Sequence, residues 1–379
     1  MLPKSKPTNT LSQEKLSTHQ EPNHKSLLRK RIPLFIMSIF LIIFFIKIIL
    51  PPLNFLKQNQ ITSSLLVDLI INKEYPLKKD AGRTNFLLLG IAGENHEGVD
   101  LTDTMIFISI DFVKNDVLFL SLPRDIWLDS LKDKINTAYH YGEEKKQAGG
   151  FMLSRTSVEE VTGQPIHYTL LLDFAGFKKL IDLVGGIDVE VENSFIDKKY
   201  PLAGRENDLC NGDKEYKCRY ETVKFDKGIQ HMDGERALKF VRSRYAEGDE
   251  GTDFARGKRQ QKIIVAFQKK LLSLNNLSLN KINQFIRTLK ETIKTDLTFT
   301  EAAYLARFGL RFKGTMRSIP LDYGNQEKKE EGFLINPPVE KYDRWVLVPR
   351  TGNFTEIHNY ISCYLKDSNC KITPKTKMY

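Results

Sequence analysis

Apolar and polar positions follow two different periods along the middle of the chain. Mainly apolar runs of strand length lie at 85–91, 104–110 and 117–122. The polar residues Lys114, Asn115 and Asp116 lie between the last two runs, which predicts a hairpin. The pattern then predicts four more elements: a helical region over 137–163, a strand over 167–172, a helix over 174–183 and a strand over 187–191. Strands that alternate with helices predict an α/β sheet covered by helices.

The second half of the chain is predicted to be mainly helical. One helix ends near residue 274, and the apolar spacing predicts others near 280–294 and 300–312. A segment at 345–348 and a helix over 355–365 form a small C-terminal annex. The predicted fold class is α/β, a three-layer α/β/α domain with a mainly mixed central β-sheet over 83–320, followed by the annex over 321–379.

An apolar run at 34–50, interrupted only by Lys47, precedes the folded domain. Its length is at the short end of the range of about 17–25 residues that span a bilayer, and Lys47 can extend its ammonium to the interface. A secretory signal peptide is the alternative, but no small-residue cleavage motif follows the run. We predict an uncleaved transmembrane helix over 33–51, after a disordered basic tail over 1–32 and before a stalk over 52–82.

Half of the formal net charge of +10 belongs to the first 32 residues, which carry seven Lys or Arg against two Glu. Positive charge before a membrane helix favours a cytoplasmic N-terminus. We therefore predict a single-pass protein of the cell membrane whose folded domain is extracytoplasmic. The basic composition also suggests an alternative function, that of a nucleic-acid-binding regulator. This topology and the lack of a helix-turn-helix pattern argue against nucleic acid as a partner.

The four cysteines form two close pairs in the sequence, Cys210 with Cys218 and Cys363 with Cys370. Outside the cytoplasm, each pair can close a short disulfide loop. Four cysteines allow three connectivities, and unpaired thiols are a further alternative. A zinc site is disfavoured, because neither spacing is typical of zinc ligands.

The stretch 228–261 concentrates arginine, lysine, glutamine and acidic residues around the expected start of a helix. Asp253 is the predicted N-cap, Arg256 falls in the first turn, and Gln260 follows on the same face. The N–H groups of a helix N-terminus and the planar donors of arginine both suit phosphate oxygens. A solvated, charge-rich helix is the alternative.

Further polar groups lie at the ends of predicted strands, where open α/β sheets bind ligands. Asp100 and Asp103 precede a strand and suit Mg²⁺, which prefers one or two carboxylates together with phosphate oxygens and water. The cations expected around a diphosphate are Arg124, Lys134, Arg242, Arg244 and Arg256. The alternatives are ordinary loop residues for the two carboxylates, and for Arg124 a surface ion pair with Asp125 or Asp129.

Seven segments between residues 84 and 275 form an ordered series: NFLLLG, LTDTMIFISID, FLSLPRD, KINTAYHYG, DFAGFKKLIDLVGGIDVEV, GIQHMDGERALKFVRSR and DFARGKRQQ. In this order they resemble the LytR-CpsA-Psr family of bacterial cell-envelope transferases. The series is more specific than any one of its members.

The resemblance implies a membrane-anchored phosphotransferase whose outer α/β/α domain passes a glycopolymer from a polyprenyl-diphosphate carrier to peptidoglycan or another envelope acceptor. It implies that Asp103 ligates Mg²⁺ and that an apolar tunnel beneath the sheet accepts the lipid tail. The residues that it implies for the diphosphate are Arg124, Lys134, Arg242, Arg244, Asp253, Arg256 and Gln260. Those that it implies for catalysis are Asp103, Arg124, Arg244 and Arg256.

Two positions depart from the family pattern. Members commonly carry an aspartate just after the first strand, where this chain has Ala92, and an arginine two residues before the Asp-Thr pair, where it has Leu101. One metal-associated carboxylate and one phosphate-binding arginine are therefore missing. We expect Asp100 or Glu94 to replace the carboxylate.

The transfer needs no covalent intermediate, because cations can neutralise the diphosphate while a sugar hydroxyl attacks in line. No Ser-His-Asp arrangement is evident, so we expect His140, His167 and His231 to be structural or surface residues. The alternative function is a non-catalytic protein that binds or senses polyprenyl-diphosphate lipids. Ala92 and Leu101 motivate it.

Overall fold

The structure is a computed structural model that describes residues 50–59, 61–71, 74–93, 98–274, 278–319, 321, 323–325, 330–367 and 369–374. Its helices are α1 (Leu50–Gln58), α2 (Ser63–Ile71), α3 (Ala138–Lys145), α4 (Gly149–Thr162), α5 (Phe174–Leu183), α6 (Gly234–Arg242), α7 (Asp253–Ser273), α8 (Leu279–Thr292), α9 (Phe299–Arg311) and α10 (Thr355–Lys366). The chain divides after Ile61 into two compact units, and α1 belongs to the first of them.

The strands all belong to the second unit. They are β1 (Thr84–Ile91), β2 (Thr102–Asp111), β3 (Asp116–Ser121), β4 (Trp127–Leu128), β5 (Asp133–Lys134), β6 (Tyr168–Asp173), β7 (Ile187–Val191), β8 (Phe195–Pro201), β9 (Tyr220–Phe225), β10 (Gly228–Met232), β11 (Ile293–Thr295), β12 (Thr315–Ile319), β13 (Gly324–Asn325), β14 (Glu330–Glu331), β15 (Leu334–Ile335) and β16 (Val348–Pro349).

One six-stranded sheet has the strand order β11-β6-β1-β2-β3-β12. The β1–β2, β2–β3 and β11–β6 pairs are antiparallel, whereas β1–β6 and β3–β12 are parallel. The sheet is therefore mixed, as predicted. The predicted hairpin between β2 and β3 is confirmed.

Successive side chains of a strand point to opposite sides of the sheet, so the sheet has two faces to bury. Helices cover both of them. On one face, Phe107 belongs to a core cluster with Val158 of α4 and Ile361 of α10. On the other face, Phe119 packs in a cluster with Phe308 of α9. The annex helix α10 thus packs on the same core as the central strands, and the helices form the two outer layers.

The strand directions bring several chain segments to one edge of the sheet. The carboxyl ends of β1, β3 and β6 meet there with the amino end of β2, which runs antiparallel to β1 and β3. Asp103 lies at the start of β2 and Arg124 just beyond β3. The start of α7 approaches the same edge, because a Cβ atom on Gly257 would lie 3.0 Å from the Cβ of Ser121.

The helical region predicted over 137–163 is confirmed, and two helices, α3 and α4, occupy it. They are separated at 146–148, where Ala148 has a left-handed φ of 61°. The backbones of Gly142 and Gly149 then pass so closely that a Cβ on Gly149 would lie 2.3 Å from the Gly142 carbonyl oxygen. This turn is compatible only with glycine at that position.

The hairpin of β8 and β9 was absent from the sequence prediction. Its strands pair antiparallel, with a register shift between Asp197 and Tyr200. Lys198 and Lys199 lie at this irregularity and are exposed, so the alternation of apolar and polar residues is lost there. A bulge therefore conceals the strand from a period-two pattern.

Both expected cysteine pairs are disulfides. Cys210 is bonded to Cys218 in the loop between β8 and β9, and Cys363 is bonded to Cys370 at the end of α10. The sequence left the connectivity open, and the structure has the two short loops.

The predicted basic tail and the predicted transmembrane helix up to residue 49 lie outside the described residues, as does Glu94. Among the helices that the structure describes, none combines the length and apolar character needed to cross a bilayer. The predicted stalk over 52–82 contains α2 and all of α1 except its first two residues.

Candidate functional site

A chain of ion pairs lies at the sheet edge where β2 begins and β3 ends. The Arg124 guanidinium pairs with Asp103, and its Nε lies 3.4 Å from Asp125 Oδ2. The second oxygen of Asp125 accepts a hydrogen bond of 2.7 Å from Lys134 Nζ. Burial lowers the pKa of Arg124, but Asp103 and Asp125 outweigh this effect and raise it. Arg124 is therefore a permanent cation, and two carboxylates fix its position.

Backbone contacts fix the segments that carry these side chains. Asn136 N donates to Arg124 O over 3.3 Å, and Thr102 Oγ1 donates to Asn136 O over 3.1 Å. Leu347 N donates to Asp125 O over 2.9 Å, so the annex residue that precedes β16 also supports the loop. Long-range contacts of this kind place Asp103, Arg124 and Lys134 together, although 31 positions separate the first from the last.

Helix α7 brings Arg256 and Gln260 to the same edge. Gln260 donates from Nε2 to Thr104 Oγ1 over 3.3 Å, and Ser121 Oγ lies 3.5 Å from Gln260 Oε1. Both Arg256 and Gln260 are buried, with 5% and 7% exposure. Their burial rules out the alternative of a solvated helix face at these two positions, and their shared face is confirmed.

The predicted N-cap of this helix is wrong by one residue. Thr252 caps α7, because its side chain accepts a hydrogen bond of 3.1 Å from Ala255 N. Asp253 is the first helical residue, and its side chain lies outside the described part of the chain. A threonine hydroxyl and an aspartate carboxylate can both accept the capping hydrogen bond, and sequence preference slightly favours aspartate. The role of Asp253 in orienting the arginines stays a prediction.

The loop after α6 carries Arg244 and depends on two residues that the sequence analysis missed. The buried Asp197 carboxylate accepts hydrogen bonds from Arg244 N at 3.0 Å and Tyr245 N at 3.2 Å. Arg259 donates to Phe240 O, Ser243 O and Glu250. The RQQ sequence at the end of the 228–261 stretch was a signal for Arg259. Nothing in the sequence near Asp197 indicated that it contacts Arg244, 47 positions away.

Asp100, the second predicted metal carboxylate, pairs with a histidine. Its Oδ2 lies 2.9 Å from His140 Nδ1, and Glu144 lies 3.3 Å from the other ring nitrogen. The hydrogen bond from Asp100, followed by its charge and that of Glu144, outweighs burial and raises the pKa of His140. His140 is thus partnered at the edge of the site and is more than an isolated surface histidine.

A cavity of about 1150 Å³ opens beside Asp100. Arg242 lines it, 4.1 Å from the ring centroid of Phe174 and 3.3 Å from the Tyr200 hydroxyl. Lys294 lines it as well. In the described part of the chain, neither Arg242 nor Lys294 forms an ion pair. The remaining predicted residues lie outside its lining: Asp103, Arg124, Lys134, Arg244, Arg256 and Gln260.

The fit of this edge to Mg²⁺ depends on its carboxylates. Asp103 is about one-third exposed and offers one carboxylate beside Arg124. Ala92 lines the cavity and supplies no ligand atom, while the nearby Asp173 carboxylate accepts from Gly176 N over 2.6 Å and caps α5. This donor set suits a cation that takes one carboxylate from the protein and completes its shell with phosphate oxygens and water.

Among the residues that the structure describes, one cluster of three residues has ligand atoms close enough together to bind a metal: Asp208, Cys210 and Cys218. Its two sulfurs are already bonded to each other. The cluster is therefore a disulfide loop, which agrees with the sequence argument against zinc.

Comparison with known proteins relates this geometry to a family. The model of the LytR_cpsA_psr family matches residues 56–332. The chain is 31% identical over 218 residues to the polyisoprenyl-teichoic acid–peptidoglycan teichoic acid transferase TagU of Bacillus cereus, a match that covers 56% of this chain and 60% of that protein. The chain thus spans about 60% of the length of the curated relatives that it matches.

Solved structures share the fold. TagV of B. subtilis matches with a TM-score of 0.52 and 24% identity, over 76% of this chain and 99% of that one. A structure of TagT bound to LIIa-WTA matches with a TM-score of 0.50 and 22% identity, over 78% and 96%.

Proposed function

Because the chain belongs to the LytR-CpsA-Psr family, we propose that it is a membrane-anchored transferase of the cell envelope. Its donor is a glycopolymer linked to a polyprenyl diphosphate, and its acceptor is peptidoglycan or another envelope glycan. The name of the B. cereus relative, a teichoic acid transferase that acts on peptidoglycan, supports this substrate class. The observation that carries the proposal is the chain of ion pairs that links Asp103, Arg124, Asp125 and Lys134 at the sheet edge.

The diphosphate binds at this edge through charge and donor geometry. Arg124 and Arg256 present planar guanidinium groups, and Lys134 adds a compact ammonium. Asp103 and Asp125 orient Arg124 before the ligand arrives. Gln260 adds a neutral amide on the same helix face as Arg256, and Arg244 approaches from the loop that Asp197 and Arg259 shape. Preorganised donors need little rearrangement when charge develops on a phosphate.

Mg²⁺ is part of the proposal, with Asp103 as its protein ligand. When bound, the ion would neutralise phosphate charge. Asp100 would act from the cavity side through its pair with His140. Asp103 keeps this role without a second aspartate at position 92, because phosphate oxygens and water complete the coordination of Mg²⁺ in many sites.

The transfer is an in-line displacement at phosphorus. An acceptor sugar hydroxyl attacks the phosphorus that carries the glycan, and the bond from this phosphorus to the oxygen of polyprenyl phosphate breaks. Arg124 and Arg256 stabilise the charge that grows on the departing phosphate. Asp103 is the candidate to accept the proton of the hydroxyl. The products are a phosphate-linked glycan and polyprenyl phosphate.

The location that we propose for this reaction is the outer face of the cell membrane. The basic tail before the apolar run supports a cytoplasmic N-terminus. The two disulfides support an oxidising compartment for the folded domain.

A second function, binding or sensing of the lipid without efficient transfer, is favoured by Ala92 and Leu101. One experiment separates the two. The full-length protein in detergent is incubated with a polyprenyl-diphosphate-linked glycan, peptidoglycan fragments and Mg²⁺, and released polyprenyl phosphate is measured. Release that requires the acceptor supports the transferase. Saturable donor binding without release would support the sensor.

A further inference from the structure

The edge of the sheet opposite the candidate site carries exposed apolar side chains. Helix α2 buries Leu65 but leaves Ile70 and Ile71 exposed, each at 73%. At the β2–β3 turn Val113 is 90% exposed, and Leu310 of α9 is 57% exposed. Water-exposed apolar groups that lie close together mark interaction surfaces more often than single ones do.

Direct contacts join these segments into one surface. Arg307 of α9 donates to Leu69 O of α2 over 3.0 Å. The rings of Phe112, before the turn, and Phe308 of α9 lie 4.8 Å apart, and Tyr75, after α2, stacks on Phe112 at 4.5 Å. We call this surface the basal face and define it by Val67, Ile70, Ile71, Val113 and Leu310.

Cations border the basal face. Arg311 and Lys313, at the end of α9, are exposed and form no ion pair with any described residue, and Lys114 follows Val113 with 70% of its side chain exposed. The exposed carboxylates of this region are Asp68 and Glu74, so cations are in excess. Apolar tips bordered by lysine and arginine are typical of surfaces that lie on anionic bilayers.

The chain length also limits where the basal face can lie. Only residues 52–62 separate the predicted membrane helix from α2. Fully extended, this segment spans about 40 Å. The start of α2 must therefore remain within that distance of the point where the chain leaves the bilayer.

We propose that the basal face docks on the outer surface of the membrane, with Ile70, Ile71, Val113 and Leu310 inserted among the lipid headgroups. The proposal rests on the extracytoplasmic topology of the proposed function. A second copy of the chain is a poorer occupant, because pairing two basal faces would bring their excess cations together.

Docking in this way sets the height of the candidate site. Strand β3 leaves the basal face at Asp116 and reaches the site edge at Ser121. Its six residues rise about 20 Å. The site therefore faces away from the bilayer, towards the acceptor, and the donor must extend part of its lipid through that distance.

The test uses an environment-sensitive fluorophore on the full-length protein. All four cysteines of the sequence form disulfides, so single cysteines can be labelled selectively. Ile70→Cys and Val113→Cys report on the basal face. Ile229→Cys is the matched control, because Ile229 is 78% exposed on β10, outside the central sheet. Each labelled protein is placed at one copy per nanodisc of phosphatidylglycerol and phosphatidylcholine.

Both basal-face labels should emit at shorter wavelength than the Ile229 label and should be quenched by spin-labelled lipid. Adding Arg311→Glu and Lys313→Glu should reduce that quenching. Emission from both labels as water-like as that of the control would overturn the proposal. A shift that requires several copies per bilayer would overturn it too, because it would show self-association. This experiment does not measure transfer. A protein that fails the transfer assay but has quenched labels would therefore reject the proposed function and leave the basal-face proposal standing.

Discussion

The arginines of the candidate site differ in what their N–H donors contact. This difference separates arginines that can bind a ligand from those that support the fold. Arg259 is 3% exposed, and its donors contact backbone carbonyls and Glu250. Burial lowers the pKa of Arg259, and Glu250 pairs with its guanidinium inside the fold. Arg124 is about one-third exposed at the sheet edge, and two carboxylates contact it from the protein side. Arg124 is therefore the cation best placed to meet a phosphate.

Replacing Arg124 tests that assignment. Arg124→Gln should weaken binding of a polyprenyl-diphosphate analogue roughly ten- to a hundredfold, because a charge-assisted hydrogen bond contributes about 1.5–3 kcal/mol and each 1.4 kcal/mol is a factor of ten. Calorimetric titration in detergent measures the affinity. The control is Arg287→Gln, whose exposed pair with Glu291 lies on α8. Equal affinities for the two variants would remove Arg124 from the site.

At the residue scale, sequence reasoning singled out polar groups where a motif is local and missed a contact that is distant in the chain. Asp103 with Thr104, Arg124 with Asp125, and Arg256 with Gln260 are close in the chain, so their chemistry was visible. Asp197 supports the loop of Arg244 from a separate hairpin. A lone aspartate on an unpredicted strand carries no such signal.

At the element scale, the approach of α7 to β3 determines where Arg256 and Gln260 lie. Gly257 permits the contact, since its Cβ would be 3.0 Å from the Cβ of Ser121. Gly257→Ala should shift the start of α7 and lower donor-analogue affinity, and the added Ser121→Gly should restore much of it. Isothermal titration of the single and double variants measures this.

The matched control is Gly309→Ala in α9, where an added Cβ meets nothing within 4 Å. There alanine should leave affinity unchanged and stabilise the helix by up to about 1 kcal/mol. Wild-type affinity for Gly257→Ala, or no recovery in the double variant, would mean that this packing does not position the site.

A second element-scale feature ties the annex to the sheet. Asp116, at the start of β3, receives hydrogen bonds from Arg83 at 3.0 Å and Arg317 at 2.7 Å. Arg317 also donates to Tyr364 O of α10 over 3.1 Å. Burial would raise the pKa of Asp116, but the hydrogen bonds and charges of Arg317 and then Arg83 lower it.

Stability should therefore depend on the ionisation of Asp116. A lowered pKa stabilises the fold above the unfolded value of about 4, and this contribution disappears as the pH falls through the folded value. Asp116→Asn should lower the free energy of unfolding by about 2–3 kcal/mol at pH 7 and by less near pH 3. Urea unfolding at both pH values measures it. The control, Glu291→Gln, should change the free energy of unfolding by no more than about 0.5 kcal/mol. An equal loss of stability for Asp116→Asn at both pH values would refute the dependence on ionisation.

At the scale of the whole molecule, the sequence predicted the layers of the fold better than its connections. Long apolar runs gave β1, β2, β3 and β6, since buried strands have an unmistakable composition. The helix break at Ala148 and the bulged strand at Asp197 depend on backbone conformations that a period cannot show. The membrane topology stays a prediction, because the tail and most of the apolar run lie outside the described residues.

That topology predicts where a reporter fused after Tyr379 can work. An enzyme that folds only outside the cytoplasm should be active in the fusion, because in that topology the chain crosses the membrane once after a cytoplasmic N-terminus. Colony assays with paired periplasmic-type and cytoplasmic-type reporters measure this. Activity of the cytoplasmic reporter instead would reject the envelope location.

The central claim is that the edge formed by β2, β3 and α7 binds the diphosphate of a lipid-linked glycan. A crystal structure of the full-length protein with a short-chain polyprenyl-diphosphate analogue tests it most directly. The account predicts phosphate density within hydrogen-bonding distance of Arg124 and Arg256, next to Asp103. Phosphate bound only in the neighbouring cavity at Arg242 and Lys294, with the Arg124–Asp103 pair unchanged, would contradict it.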